Sequence, residues 1–582
     1  MIKTLSYIFS KQEKFKMAYI ALLIVIGGIL ELMGVAVFTP FIQIITAPTV
    51  IEENKFLSYT YRIMGFRDTN SFIIGIAVFI IVVYVFKNLF LTYEKNSVYL
   101  FSYGMQHRVA KRLLKAYLAE NYAYHLKTNP AELIRTIQVD TDYFTKAVIH
   151  TLELIMEIVV CSALIVYLFI VSPMITIITS ISLFIAVSLY VLFSKKWLRE
   201  VGRQSQKYGA EILECANQAL GGVKEIKVLN REEYFIKKFS HSFSLNMRCI
   251  RLSRLASVLP KYFVESICII GLMLAVIIKM KTDSSNISSF IPQLAVFATA
   301  AFRLMPSVGR INEHTSAINN CYPSVNLIYE DLRSVESVQE KKEQVAKLGK
   351  MELTDSIKVE NISFGYDDSE KEIVKKASFM ISRGKTVAFV GESGSGKTTL
   401  VDIILGLLIP KSGKVEVDGV DINSNMSGWQ KNIGYIPQAI YLSDDSIRKN
   451  IAFGIEEDEI DDKAVEEAAR KAQLLDFVSS LPEGFETVVG ERGARISGGQ
   501  KQRIGIARAL YHNPEVLVLD EATSALDNET EKAVMEAIDG LHGTKTIIII
   551  AHRLSTIQNA DLVYEVGEGK VTRREKSEVL GK

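Results

Sequence analysis

The sequence has no marked excess of either charge and few cysteines, and both shortages exclude classes of function. It carries 67 Lys and Arg against 65 Asp and Glu, so its formal net charge is only +2. Nucleic-acid binding needs a concentrated positive surface, so we predict no nucleic acid partner. The five cysteines are scattered, without the paired spacing of a metal site or a disulfide framework. We expect them to be buried free thiols.

The sequence also shows no convincing cleavable export signal. The first apolar run begins near Met17, is longer than a signal core and contains Glu31 and Gln43. We therefore interpret it as a retained membrane span. The chain has 582 residues, of which 49% are hydrophobic, and its mean hydropathy is positive. These values favour two large domains, one of them in a lipid bilayer.

Six apolar stretches in the first half are near the length that crosses a bilayer. They are Met17–Ile45, Ser71–Tyr93, Ala147–Val171, Met174–Phe193, Phe263–Ile278 and Phe290–Met305. The last two are the least apolar, and buried core helices are the alternative for them.

The connections between these stretches predict the orientation of the chain in the membrane. Two long polar connections, after the second and fourth stretches, are rich in Lys and Arg, which marks cytoplasmic loops. Both termini are therefore predicted to be cytoplasmic. Pro130 and Gly222 interrupt these loops, leaving room for a short crosswise helix in each. We also expect an interfacial helix within residues 1–16 and a small outer amphipathic helix within 47–70, where an irregular loop is the alternative.

One stretch near the middle of the chain, GESGSGKTT, has the pattern of a phosphate-binding loop. An apolar run before it is typical of a buried strand, and the run after it is suited to a helix. Backbone N–H groups of such a loop bind phosphate, while the Lys reaches the β- and γ-phosphates and the first Thr binds Mg²⁺. The candidate ligands are Gly391, Glu392, Ser393, Gly394, Ser395, Gly396, Lys397, Thr398 and Thr399.

Two further motifs complete a candidate nucleotide hydrolysis site. Asp520 and Glu521 end an apolar strand, where the Asp can hold Mg²⁺ and the Glu can orient the attacking water. Ser497, Gly498, Gly499 and Gln500 open a helix and form a second phosphate cradle. One nucleotide cannot fill two cradles of one compact domain. We therefore expect two copies of the chain to bind each nucleotide between them, head to tail.

These motifs resemble the nucleotide-binding domain of ATP-binding-cassette (ABC) transporters, and the first half is similar to the membrane domain of ABC exporters. The resemblance implies ATP and Mg²⁺ as cofactors, with Tyr366 stacking on adenine and Gln438 contacting Mg²⁺. It also implies that Glu521 is the catalytic carboxylate, that His552 contacts the γ-phosphate and that Asp527 belongs to a loop at the dimer interface. One domain of each kind makes a half-transporter, for which we expect a homodimer.

Cationic residues in or near the apolar stretches are the candidates for binding the cargo, because charges there are costly. They are Lys87, Lys261 and Arg303. The alternatives are that Lys261 pairs with Glu265 and that Lys87 reaches the membrane surface. The sequence around them resembles the lipid-linked-oligosaccharide flippase of bacterial protein N-glycosylation. That resemblance implies a basic belt that receives an isoprenoid pyrophosphate glycan.

We therefore predict an α-helical membrane domain of six spans in residues 1–331, a linker in 332–355 and an α/β phosphate-loop ABC domain in 356–582. The expected function is ATP-driven flipping of a lipid-linked oligosaccharide across the bacterial plasma membrane. Export of drugs, lipid A-like lipids or peptides is the alternative. An ATP-gated channel or regulator is a rival from another class, against which the intact Glu521 counts.

Overall fold

The chain forms two compact units in a computed structural model, which describes residues 7–46, 51, 55–63, 65, 68–171, 173–282, 306–307, 309–334, 349–366, 372–490, 493–521, 528–551 and 557–580. The first unit combines Met1–Lys115 with Ala131–Arg333, and the second combines Ala116–Pro130 with Ser334–Lys582. The segment Ala116–Pro130, which the sequence assigns to a loop of the membrane domain, groups with the nucleotide-binding half.

The first unit consists of helices. They are α1 (Lys11–Ala36), α2 (Phe38–Thr46), α3 (Lys55–Ile63), α4 (Thr69–Ala119), α5 (Tyr122–Lys127, grouped with the second unit), α6 (Pro130–Arg135), α7 (Thr141–Val171), α8 (Pro173–Gly221), α9 (Val223–Leu229) and α10 (Glu232–Thr282). A π-helical turn, Thr136–Asp140, leads into α7, and residues 309–334 form a further helix. The short helices α5, α6 and α9 lie where the sequence predicts crosswise helices.

Three stretches of the described residues are long and apolar enough to cross a membrane, namely Lys11–Gly34, Thr69–Ala119 and Pro130–Ile170. The predicted fourth and fifth spans lie within the continuous helices α8 and α10. The predicted sixth span, 290–305, lies outside the described residues. On α4, large apolar side chains are exposed, as expected for a surface in contact with lipid: Ile74, Val78, Phe79, Ile81, Val82, Val85, Phe86 and Leu89.

The first predicted span is not one helix, since α1 ends at Ala36 and α2 begins at Phe38. Pro40 has no N–H to donate to the carbonyl of Ala36, so the helical hydrogen-bond ladder is interrupted there. The helix predicted within residues 47–70 is present as α3. Its Leu57 packs in a small apolar cluster with Ile44, Ile51 and Phe72, which explains why this segment is ordered as a helix.

The second unit contains two sheets and short helices. The strands are β1 (Ser356–Phe364), β2 (Val374–Ser382), β3 (Thr386–Val390), β4 (Ser412–Val417), β5 (Val420–Asp421), β6 (Ile433–Ile436), β7 (Val516–Asp520), β8 (Thr546–Ile550), β9 (Leu562–Gly567) and β10 (Lys570–Arg574). The helices are α11 (Lys397–Ile404), α12 (Met426–Gln430), α13 (Ile447–Ile451), α14 (Asp462–Lys471), α15 (Leu475–Ser480), α16 (Gly498–Tyr511), α17 (Asn528–Asp539) and α18 (Lys576–Leu580). Short 3₁₀ turns lie at Ile422–Asn425, Glu457–Glu459 and Gly484–Glu486.

The larger sheet has the order β10-β9-β3-β8-β7-β6, and all neighbouring strands from β9 to β6 are parallel. Its central strands are buried on both faces. Along β7, Val516 and Val518 point into one apolar cluster, while Leu517 and Leu519 point into the other. This alternation follows from the two-residue repeat of a strand and explains why β7 and β8 are continuous apolar runs. The smaller antiparallel sheet has the order β2-β1-β4-β5 and covers one of these clusters.

The segment Ala116–Pro130 belongs to the second unit through specific contacts. Ala123 of α5 packs against the apolar cluster formed by the smaller sheet and α11. Burial and the nearby Asp402, Tyr366 and Asp520 raise the pKa of Tyr122. The beginning of α5 therefore lies close to the nucleotide-binding half's own polar residues.

Candidate functional site

The candidate site is built at the carboxyl ends of parallel strands. The phosphate loop follows β3, Gln438 comes shortly after β6, and Asp520 is the last residue of β7. Because these strands are parallel members of one sheet, their carboxyl ends meet at one edge. Ligands of α/β folds bind at such an edge. The topology thus brings together three motifs that lie far apart in the sequence.

The phosphate loop uses glycine where no other residue would fit. Gly391 has φ 145° and Gly396 has φ 100°, which are conformations that side chains disfavour. A Cβ at Gly391 would lie 2.2 Å from the carbonyl oxygen of Val566, and one at Gly396 would lie 2.8 Å from Ile373. The loop ends at Lys397, the first residue of α11. The loop therefore runs directly into the N-terminus of that helix, where backbone N–H groups can bind a phosphate.

Two polar groups of the loop fit an anionic ligand. Lys397 is buried, and its Nζ donates hydrogen bonds of 2.9 Å to the carbonyls of Gly391 and Glu392. Burial lowers the pKa of Lys397, while the charges of Glu521 and Asp520 oppose that effect. The Ser395 hydroxyl oxygen is buried and has no hydrogen-bond partner among the described residues. A buried hydroxyl without a partner is costly, and a phosphate oxygen would satisfy it.

The carboxylates that end β7 are held by residues that follow or belong to β6. The Tyr435 hydroxyl donates to Asp520 Oδ2 at 3.3 Å, and Gln438 Nε2 donates to Glu521 Oε2 at 2.6 Å. The first bond joins two neighbouring strands, and the second joins two of the predicted site residues. Tyr435 was not among the predicted site residues, because its role depends on the pairing of β6 with β7.

Glu521 has an unusual backbone, with φ 47°. A non-glycine residue in this left-handed region is strained, and such strain is concentrated at functional sites. The turn after β7 directs the Glu521 side chain to Gln438.

Thr398 and Thr399 are next to Lys397 in α11, where Thr399 is buried and Thr398 is exposed at the loop.

The second predicted cradle forms a capped helix start. The Ser497 side chain accepts from Gln500 N at 3.3 Å, and the Ser497 N–H donates to Gln500 Oε1 at 2.9 Å, which together make a capping box. Ser497 and Gly498 are exposed, and a Cβ added at Gly498 would meet no atom within 4 Å. The start of α16 is therefore an accessible surface in a single chain.

Tyr366 follows β1 and is half-buried, with its ring packed edge-on against Phe364 at 5.2 Å between centroids.

Asp402 of α11 is buried beside the site. Burial, and then the charge of Asp520, raises the pKa of Asp402 to about 6. This carboxyl was not among the predicted residues.

Two family profiles match the chain. The ABC transporter transmembrane region matches residues 17–302, and the ABC transporter domain matches residues 374–524. A heterocyst differentiation ATP-binding protein, HepA, of Nostoc sp. is 30% identical over 471 residues, which are 80% of this chain and 75% of that protein. The chain belongs to the ABC transporter family.

Other relatives of this ABC transporter have names that specify a cargo. An ATP-dependent lipid A-core flippase of Saccharophagus degradans is 33% identical over 66% of this chain and 64% of the relative. Multidrug resistance protein 1 of Entamoeba histolytica is 34% identical over 62% of this chain and 29% of its own length. The matches to these two relatives thus span less than two thirds of their lengths.

The fold of the transporter is that of a solved bacterial Atm1-family ABC exporter with ATP bound, with a TM-score of 0.74 over 98% of this chain and 96% of that one. At 22% identity this likeness shows the fold. The predicted fold class, a helical membrane domain joined to an α/β ABC domain, is confirmed. The chain is an integral membrane protein, and an ABC domain of this kind implies ATP hydrolysis coupled to transport.

Several residues predicted for the transporter lie outside the described structure. His552, Asp527 and Arg303 are among them, and so is the side chain of Lys261. Their roles stay predictions. The described residues do bring together Lys397, Gln438, Asp520 and Glu521 at one end of the sheet.

Lys87, the first of the predicted cargo-binding cations, is buried in an ion pair. The Lys87 Nζ lies 3.3 Å from Glu31 Oε2 and 4.5 Å from the centre of the Tyr84 ring, and Lys87 is 5% exposed. The pair joins α1 to α4, so it neutralises two charges inside apolar helices. Sequence reasoning noted Glu31 only as a polar interruption, although an opposite charge in a neighbouring apolar stretch was a signal for pairing.

Proposed function

We propose that the chain is an ATP-driven exporter that works as a homodimer in the bacterial inner membrane, with both termini in the cytoplasm. The contact between Gln438 and Glu521 beside the phosphate loop carries this proposal, because it places a carboxylate next to an amide that can sense Mg²⁺. An intact carboxylate at this position supports hydrolysis, and not only binding, of ATP.

Each part of the site has a chemical role in this proposal. Lys397 and the loop N–H groups would bind the phosphates, and Thr398, Gln438 and Asp520 would hold Mg²⁺. Glu521 accepts a hydrogen bond from the attacking water and orients it. Tyr435 keeps the Asp520 carboxylate in position through its hydroxyl. ATP supplies the γ-phosphoryl group, and Mg²⁺ neutralises charge on its oxygens.

The exposed start of α16 supports a dimer. Ser497 and Gly498 present the positive end of a 14-residue helix to the surface. The Ser497 hydroxyl is held by its own cap, so the helix start is ordered before a partner binds. A second chain in head-to-tail contact would bring its nucleotide to this helix.

For the cargo we propose a lipid-linked oligosaccharide with an anionic pyrophosphate. The outer helix α3 agrees with what the flippase resemblance implies, and Lys261 and Arg303 remain candidates for the basic belt. Since Glu31 compensates Lys87, we assign Lys87 to structure and not to the belt. A lipid A-like lipid is the second candidate, because relatives named lipid A-core flippases share the anionic, amphipathic type of cargo.

Flipping in proteoliposomes tests this proposal. Purified chain is reconstituted with a lipid-linked oligosaccharide labelled on its glycan, and ATP-dependent movement between leaflets is followed beside a Glu521→Gln control. We expect flipping by the wild type and none by the control. A parallel assay with lipid A separates the two cargoes. ATP hydrolysis with flipping of lipid A alone would reject the oligosaccharide, whereas absence of hydrolysis would reject the exporter itself.

A further inference from the structure

A cluster of metal-ligand side chains lies in the first unit, whereas the nucleotide site belongs to the second. His150 and Glu153 lie on α7, and His314 lies on the 309–334 helix. His150 and Glu153 are three positions apart, so both face the same neighbour. Among the described residues these three form a group whose ligand atoms all lie within 4.8 Å of one another.

The distances between the three ligand atoms match the size of a transition-metal ion. His150 Nδ1 and His314 Nδ1 are 3.0 Å apart, and Glu153 Oε2 lies 3.7 and 3.6 Å from them. The point equidistant from the corners of this triangle lies about 2.0 Å from each atom. Zinc binds imidazole nitrogen at about 2.0–2.1 Å and carboxylate oxygen at about 2.0–2.2 Å.

The carboxylate is oriented for this role by a neighbour on a third helix. Lys95 of α4 lies 3.2 Å from Glu153 Oε1, which leaves Oε2 directed at the two imidazoles. Groups that hold a ligand's second oxygen in this way fix the geometry of metal sites. The positive charge of Lys95 works against a bound cation. One turn further along α7, Glu157 is paired with Arg310, so this second ion pair adds no net charge near the three ligands.

Burial also fits a site with three protein ligands and one open position. His314 is 7% exposed, whereas the His150 side chain is 26% exposed, which leaves one side of the three ligands uncovered by the chain. Two imidazoles and one carboxylate form a ligand set that suits Zn²⁺ better than the hard cations Mg²⁺ and Ca²⁺. At bond lengths of about 2.1–2.2 Å the ion would lie out of the plane of the three atoms, and a water molecule on that side could complete a distorted tetrahedron.

We propose that His150, Glu153 and His314 form a Zn²⁺ site that links α7 to the 309–334 helix. Bound Zn²⁺ stabilises the packing of these two helices, because both must keep their positions to supply ligands. Metal binding can be measured directly, so the test needs no transport assay.

The test uses the full-length protein in detergent, purified with a tag that contains no histidine and stripped with EDTA, which is then removed. Co²⁺ is titrated as a spectroscopic substitute for Zn²⁺, and Zn²⁺ binding is measured by competition and by equilibrium dialysis. We expect one high-affinity ion per chain, with the visible absorption of tetrahedral Co²⁺. Zn²⁺ should also raise the unfolding temperature, whereas the same concentration of Mg²⁺ should not.

Variants separate a metal site from a hydrogen-bonded histidine pair. His314→Ala and Glu153→Gln should each weaken Zn²⁺ binding by at least about tenfold, since each loses a ligand. His314→Cys should restore binding, because its thiolate lies near the position of Nδ1 and is a zinc ligand. His542→Ala removes an exposed histidine that is bonded to Asp561 in the other unit, and it should bind Zn²⁺ as the wild type does.

Three results would overturn the proposal. The first is that the wild type does not bind Zn²⁺. The second is that His314→Ala binds Zn²⁺ with the stoichiometry and affinity of the wild type. The third is that His314→Ala and His314→Cys lose Zn²⁺ binding equally while both keep wild-type ATP hydrolysis. The retained hydrolysis shows that both variants are folded, so an equal loss would mean that a zinc-binding thiolate at position 314 supplies no ligand, contrary to the proposal.

Discussion

Glu521 combines a left-handed backbone with a 2.6 Å hydrogen bond from Gln438, so its carboxylate is held in one position before substrate arrives. Replacement by Gln keeps the shape of the side chain and removes its ability to accept a proton. We expect Glu521→Gln to bind ATP normally and to lose hydrolysis by a factor of about 100 or more. ATP binding by fluorescence and phosphate release measure the two properties. Near-normal release in this variant would remove Glu521 from its assigned role.

Asp402 gives the nucleotide-binding half a pH-dependent stability. The pKa of its carboxyl is about 6 instead of the usual 3.8, first because it is buried and then because Asp520 is nearby. The folded protein therefore binds a proton that the unfolded chain releases between these pH values. At pH values well above 6 the buried carboxylate lowers the free energy of unfolding by the full penalty, which is on the order of 3 kcal/mol.

Asp402→Asn should remove this penalty. We expect its unfolding temperature to exceed that of the wild type at pH 7.5, and the difference to shrink towards pH 4. Thermal unfolding of the full chain without nucleotide, at a series of pH values, measures it. The exposed Asp458, changed to Asn, is the control. A stabilisation that is the same at both pH values would contradict the electrostatic explanation.

At the scale of elements, Asp418 ties the β4–β5 hairpin to the chain that enters β1. Its Oδ1 accepts from the N–H groups of Asp355 and Ser356, both at 2.9 Å. Its Oδ2 accepts from the N–H and the hydroxyl of Thr354 at 2.6 and 2.7 Å. Burial would raise its pKa, but these hydrogen bonds outweigh that effect and lower it to about 2.

We expect Asp418→Ala to destabilise the nucleotide-binding half by about 2 kcal/mol, because it loses four hydrogen bonds and Asp418 has φ 49°. Asp418→Asn tolerates that backbone and keeps part of the bonding, so it should lose less. In the wild type this contribution is present above pH 3.8 and is lost as the pH falls towards 2. Urea unfolding of the three proteins at pH 7.5 tests the ranking, and equal stability of all three would refute it.

Elements specified by nearby residues could be predicted from the sequence, whereas pairings between distant elements could not. The strand, loop and helix around Lys397 follow from contiguous residues, and so does the strand that ends at Asp520. The pairing of Lys87 with Glu31 depends on how α4 rotates against α1, which hydropathy does not specify. Tyr435 was missed for the same reason, since its role depends on β6 lying beside β7.

At the scale of the whole molecule, each nucleotide site of the proposed head-to-tail dimer combines the phosphate loop of one chain with the Ser497 helix of the other. Two inactive variants with defects in different halves should therefore restore each other's activity in a mixed dimer. Lys397→Ala removes one half of each composite site, and Ser497→Arg blocks the other half. We expect each variant alone to be inactive. Equal co-expression should restore up to about a quarter of the wild-type sites, because half of the dimers are mixed and each has one intact site.

ATP hydrolysis by the purified mixture measures this recovery. Isolated Lys397→Ala and Ser497→Arg proteins, mixed after purification without subunit exchange, are the control. No recovery from mixed dimers that have been isolated with two different tags would refute the head-to-tail arrangement.

The grouping of Ala116–Pro130 with the nucleotide-binding half affects how such proteins can be recombined. A fragment that starts at Ser334 lacks Ala123, and so it uncovers the part of the apolar cluster against which Ala123 packs. A chimera that exchanges the nucleotide-binding half with that of another transporter at one junction separates α5 from its native surface. Exchange at two junctions, carrying Ala116–Pro130 along, preserves it. The unit to exchange between transporters therefore consists of two segments that are separated in the gene, Ala116–Pro130 and Ser334–Lys582.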